Sequence, residues 1–157
     1  MITASVKDIK QELNTRSSQE LIELCLSLSK FKKENKELLT YLLFEASNEE
    51  QYIENIKEEI KEGFLDVNTK TVFYAKKTIR KILRNTKKYI RYSKKKETQI
   101  ELLICYCEGL NNLPISLKNS TVIQNIKEKQ LATITKSIDS LHEDLQFDYT
   151  HEIENLL

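Results

Sequence analysis

Residues 71–93 read TVFYAKKTIRKILRNTKKYIRYS, and the reading of this stretch decides the fold. Val72, Ala75, Ile79, Ile82, Leu83 and Ile90 gather on one side of a wheel turned by about 100° per residue. Lys76, Lys77, Arg80, Lys81, Arg84, Lys87, Lys88 and Arg91 fall on the other side, within an arc of about 140°. The segment is a long helix from about Thr71 to Ser93, with one face that packs and one that presents cations.

The same spacing continues to both sides. C-terminally, a helix covers about Thr98 to Leu110 and ends near Gly109 and the Asn111-Asn112-Leu113-Pro114 stretch. Beyond Ser120, Ile123, Ile126, Leu131, Ile134, Ile138, Leu141 and Leu145 read as one further long helix, before a last turn through His151 to Leu157. N-terminally, Asn48 can cap a helix whose first turn carries Glu49 and Glu50, where negative charge suits the helix dipole. Tyr52, Ile53, Ile56 and Ile60 form its stripe, and Gly63 reads as its stop. Ser17-Ser18-Gln19-Glu20 is a capping box ahead of Leu21, Leu24, Cys25 and Leu28. Ser5-Val6-Lys7-Asp8 opens a short helix with Val6, Ile9 and Leu13 on one side. The apolar content drops from Lys30 to Glu34 and resumes with Leu38, Leu39, Leu42 and Leu43, so residues 18–46 form either a hairpin or one long helix.

Two Gly and one Pro in 157 residues, against roughly ten and eight in an average domain of this length, leave few tight turns. The expected class is all-α: a multi-helix bundle, or a short stack of helical hairpins in the HEAT-like manner. No repeat with recurring residues and no low-complexity linker divides the chain, so it reads as one helical domain over 1–157. No window approaches about 18 consecutive apolar residues, and Met1 to Lys10 lacks a basic stretch followed by an apolar run, so the expectation is a cytoplasmic chain without an integral membrane segment. Cys25, Cys105 and Cys107 are an odd number without framework spacing. They read as reduced, partly buried thiols, with Cys25 on an apolar stripe and in the core.

Charge is the unusual feature. Lys70 to Lys96 holds 12 Lys and Arg and no Asp or Glu, which leaves 13 of the 25 basic residues against all 24 acids in the rest of the chain. Eight like charges on one helix face repel at i, i+4 spacing by about 0.2–0.5 kcal/mol per pair. An anion offsets this if one is bound: nucleic-acid phosphate, an acidic protein partner, or an anionic membrane surface. Phosphate contacts give affinity without sequence readout, and Tyr89 and Tyr92 beside the face can stack on the bases of a single strand. A membrane-surface helix also carries bulky apolar residues on its free face, which are spent on the core here. The offset can instead be internal. Glu45 to Asp66 contains eight acids against two Lys, and Asp139 to Leu157 contains six acids and no Lys or Arg. The first of these segments precedes the basic helix across a short loop, as an antiparallel neighbour would, and cross-helix pairs would then consume much of the face.

No other pattern carries chemistry. Cys105 and Cys107, two apart on a helix, point about 200° away from each other and cannot grip one ion. His142 and His151 lack zinc-ligand spacing and a nucleophile to serve. Glu49-Glu50 and Glu58-Glu59 are adjacent acids of the kind that keep a polar helix face soluble, and the glycines of a phosphate-cradling loop are missing. The expectation is therefore no enzyme, no cofactor and no metal.

Ser17 to Leu24, Lys33-Glu34-Asn35-Lys36-Glu37 and Tyr41-Leu42-Leu43 resemble the start of a family of small uncharacterised bacterial all-helical proteins. The later order, an acidic helix, a Lys/Arg-rich helix and a helix with Tyr106 and Glu108, is also similar, so that about two thirds of the chain is covered. The resemblance implies the helical fold and supplies no site residues. Together these readings lead to a non-enzymatic cytoplasmic helical protein-interaction module. The alternative is a nucleic-acid-binding protein using the basic face around residues 76–91. A homo-oligomer is compatible with either.

Overall fold

The structure, a computed structural model, describes residues 1–154 and 156. Among them lie nine α-helices, one π-helical turn and no strand, so the fold is all-α. Read above as one domain over 1–157, the chain divides into two compact units, residues 1–44 and 45–157.

The first unit holds α1 (Val6–Leu13), α2 (Ser18–Phe31) and α3 (Lys33–Thr40), and its last residues enter a π-helical turn over Tyr41–Glu45. Both N-terminal capping boxes form, with Ser5 and Asp8, and Ser17 and Glu20, exchanging side-chain and backbone bonds. Residues 18–46 are a hairpin, not one helix. Lys32 alone takes extended backbone (φ −140°, ψ 147°), and the Asn35 amide donates to the Leu28 carbonyl at 2.8 Å across the corner. No residue of α1, α2 or α3 is buried, and Cys25, expected in the core, is exposed.

The second unit is a bundle: α4 (Glu49–Leu65), α5 (Val72–Ser93), α6 (Lys96–Asn111), the short α7 (Ile115–Lys118), α8 (Thr121–Ile138) and α9 (Glu143–Glu154). Asn48, Thr71 and Ser120 cap α4, α5 and α8 through their side chains. The run Leu102 to Cys107 is apolar all round and wholly buried, which places α6 at the centre against α4, α5 and α8. The Tyr106 hydroxyl donates to the Ile79 carbonyl at 3.1 Å, and the Tyr52 hydroxyl to the Tyr89 carbonyl at 3.1 Å, so the core tyrosines tie helix to helix.

The two glycines do not end helices. Gly63 lies inside α4, where a Cβ would stand 3.1 Å from Cγ1 of Ile82 on α5. Gly109 lies inside α6, where a Cβ would stand 2.3 Å from Cδ2 of Phe64 on α4. Both let helices approach closely, and α4 and α6 stop two residues further on, at Leu65 and Asn111. The helix expected through Leu145 ends at Ile138. Short polar side chains turn back onto the backbone there, with Ser140 donating to the Ser137 carbonyl at 2.6 Å, so Leu141 and Leu145 belong to the next turn and to α9. The last expected turn, His151 to Leu157, is helical as far as Glu154, and its residues 155 and 157 lie outside the described residues.

Candidate functional site: the cationic face of α5

α5 packs its apolar side inward. Ala75 and Ile79 are fully covered, Ile82 and Thr86 are buried, and the Ile53, Ile56 and Ile60 stripe of α4 contributes to the same core. This fixes the opposite side of the helix toward solvent. Lys77, Arg80, Lys81, Arg84, Lys87 and Arg91 are exposed, and Lys76 and Lys88 are half-buried. From Lys77 to Arg91 the face runs about 21 Å along the axis at about 1.5 Å per residue.

Four of the six acids of α4, Glu49, Glu54, Glu58 and Glu59, have other partners. Glu54 takes Lys57 at 3.0 Å, Glu101 of α6 takes the same Lys57 at 2.8 Å, and Glu58 takes Lys61 at 2.9 Å. Burial works against the Lys57 ammonium, but its bonds to Glu101 and Glu54 outweigh that and raise its pKa. Glu59 accepts from the Tyr89 hydroxyl, 2.9 Å from either oxygen. Glu49, in the first turn of α4, accepts from Ser93 and, at 2.6 Å, from the buried Thr98, and pairs with Lys95 at 3.1 Å. The acidic helix thus takes a cation, Lys95, beyond the C-terminal end of α5. Among the described residues, Lys76, Lys77, Arg80, Lys81, Arg84, Lys87 and Arg91 form no ion pair within 4.0 Å. Only Lys81, at one edge, shares a groove of about 410 Å³ with Glu59, Glu62 and Asp66. Internal neutralisation, one expectation from the sequence, does not occur at these seven side chains.

The aromatic neighbours differ from expectation. Tyr92 is buried at 9% exposure, and the Tyr89 hydroxyl is held by Glu59 with the Lys88 ammonium 4.7 Å from its ring centroid. Neither is presented for stacking. Phe73 is presented instead, 67% exposed, with the Lys76 ammonium 5.2 Å from its ring centroid and Tyr74 beside it in an edge contact. Phe73 precedes Arg91 by about five turns and so has the same bearing on the wheel. That periodicity was the available signal, obscured because Phe73 reads first as a core residue.

The remaining candidates stay apart from this face. Cys105 and Cys107 are buried in α6, and burial pushes their thiols up to about 11 and about 12. His142 and His151 stand in solvent near Asp144 and Glu154, each at 3.5 Å. Among the described residues no group of three or more His, Cys, Asp and Glu gathers as a metal site, and no helix is long and apolar enough to cross a membrane. Comparison with protein-family models, curated proteins and solved structures gives no match.

Proposed function

We propose that this chain is a non-enzymatic binding module that holds the phosphate backbone of nucleic acid on the cationic face of α5. One observation carries the reading: six exposed cations on one face of one helix, with no ion pair to any carboxylate among the described residues. Along the axis of a duplex each strand presents a charge about every 3.4 Å, so about six phosphates of one strand fall within the length of the face. The repulsion among these six cations, which form six i, i+3 and i, i+4 pairs at about 0.2–0.5 kcal/mol each, is roughly 1–3 kcal/mol at low salt and is relieved by a bound polyanion.

The ranking against an acidic protein partner reverses the order drawn from sequence. Protein interfaces have apolar centres depleted in lysine, whereas nucleic-acid interfaces are polar and strongly positive throughout. The middle of this face, with Lys81 and Lys87 beside Arg80 and Arg84, carries lysine and no exposed apolar side chain, which favours phosphate.

Fluorescence anisotropy with labelled duplex DNA, single-stranded DNA and RNA at 50 and 200 mM salt tests the proposal. Six phosphate contacts on a duplex correspond to a slope of about −5 in log affinity against log salt, roughly a thousandfold between the two concentrations. The variant Arg80→Glu/Arg84→Glu/Lys87→Glu is expected to abolish binding while keeping the helical spectrum. No binding to any of the three at 50 mM salt sinks the reading. Tighter binding to polyglutamate than to nucleic acid returns the acidic protein to first place.

A further inference from the structure

The unit of residues 1–44 presents a second surface. Leu21, Leu24, Leu28 and Phe31 follow one another at spacings of three, four and three along α2, the seam of a paired helix. Leu24, Leu28 and Phe31 are 43%, 62% and 77% exposed. A unit of about 40 residues rarely supports itself without a disulfide, a metal or another chain. Here Cys25 is a free thiol, none of α1, α2 and α3 buries a residue, and Tyr41 in the π-helical turn is buried at the end of the unit.

Two features point to a second copy of this chain as the cover. The unit of residues 45–157 has closed its own core, and its large exposed apolar residues are scattered over α4, α5, α7 and α9 without a stripe to match α2. The ends of α2 are also oppositely charged, with Glu20 in its first turn and Lys30 and Lys32 at its close. Two copies laid antiparallel set unlike ends together, and two copies laid parallel set like ends together.

We propose that this protein is a homodimer in which α2 packs antiparallel against α2 of the partner subunit about a two-fold axis. The register that sets Leu24 against Leu28 of the partner subunit also sets Leu21 against Phe31 of the partner subunit. The same register brings Glu20, whose carboxylate also holds the Ser17 N–H at 2.7 Å and Arg16 at 3.5 Å, to Lys32 of the partner subunit. One shift satisfies all three pairs, and by symmetry each occurs twice, as an isologous contact requires. With α3 alongside, each copy contributes a hairpin to a four-helix arrangement.

Sedimentation equilibrium of the full chain tests this. The expected mass is twice the 18.5 kDa of one chain, at concentrations of about 10 μM and above. Leu28→Glu, at a position exposed within one copy, is expected to give the single-chain mass with an unchanged helical spectrum. Lys32→Glu sets like charges together at both ends and is expected to raise the dissociation constant at least about threefold at low salt, with less effect at high salt. A wild-type chain that stays monomeric at about 100 μM overturns the proposal, because the stripe is then covered by its own chain or by nothing. A mass of three or more chains, or a dimer indifferent to Leu28→Glu, overturns it as well. A dimer that Lys32→Glu leaves as tight or tighter excludes the antiparallel register.

Discussion

Replacing Gly109 with Ala tests the packing where the C-terminal ends of α4 and α6 meet. An added Cβ would lie 2.3, 2.4 and 2.8 Å from Cδ2, Cε2 and Cγ of Phe64, where carbon atoms rest at about 3.5–4.0 Å. The ring must therefore retreat by more than about 1 Å, and it is already packed on Tyr106, with ring centroids 5.5 Å apart. Overpacking of this kind costs about 1–3 kcal/mol. The displacement here falls in the upper part of that range, while Ala in place of a mid-helix Gly returns about 1 kcal/mol. The net expectation is a loss of about 1–2 kcal/mol, roughly 3–6 °C in melting temperature. Gly63→Ala is the control. Its Cβ meets the flexible end of Ile82 at 3.1 and 3.4 Å, a few tenths of an ångström of movement suffice, and stability should stay level or rise by up to about 1 kcal/mol. Urea unfolding followed by near-UV circular dichroism of the buried tyrosines reads both variants. In a Phe64→Ala background, Gly109→Ala should become stabilising by about 1 kcal/mol, a change of sign that only the steric contact produces. A Gly109→Ala variant as stable as wild type refutes the close approach of α4 and α6.

Three further outcomes are open to measurement. Lys94 closes α5 in the left-handed region (φ 62°), so Lys94→Gly should raise the urea midpoint by the equivalent of about 0.5–1 kcal/mol. The Cys105 and Cys107 thiols have raised pKa values in the fold, so the stability they contribute is complete below the ordinary thiol value of 9.0 and is lost as pH rises toward about 11 and about 12. At pH 10 the buried Cys107 thiol should reduce stability by roughly 1–2 kcal/mol relative to pH 7.5, so urea titrations of Cys107→Ala should show a smaller loss than wild type, with the part due to Cys105 remaining. Phe73→Ala should weaken single-strand binding by about 5- to 100-fold, the loss of one stacked base, and leave duplex binding unchanged. Equal losses on both ligands would mean that Phe73 only shapes the helix end.

Much of this could be read from residue spacing, and the exceptions have physical causes. Ser5, Ser17 and Asn48 cap where the sequence puts them, because a cap is a local device satisfied within four residues. The cationic face was legible for the same reason. Its exposure was not, since that depends on where Glu49, Glu59 and Glu54 find partners, and these lie more than 29 residues away or on the same helix. Gly63 and Gly109 sit near helix ends and read as stops; only the positions of Ile82 and Phe64 reveal a packing role. Lys32 turns the chain with neither Gly nor Pro, because one extended residue between two helices needs no unusual φ. Cys25 lies on a true apolar stripe, and the error was to equate a stripe with a core inside the same molecule.

The two surfaces, if both act, predict a dependence on ligand length. A dimer joined through α2 carries two cationic faces on one particle, so a strand long enough to reach both binds the second at an effective concentration instead of the bulk one. An oligonucleotide of about 6–8 nucleotides covers one face of about 21 Å and should bind wild type and Leu28→Glu alike, per face. On a strand of about 60 nucleotides the wild-type dimer should gain about 10²- to 10⁴-fold over the monomeric variant, with a salt slope close to twice as steep. Anisotropy across oligonucleotide lengths separates the terms. If the two proteins differ on the short strand, Leu28 lies near the nucleic-acid site and the surfaces are not independent. If they agree on the long strand although wild type is dimeric, the linkage between the units holds the two faces where one strand cannot reach both.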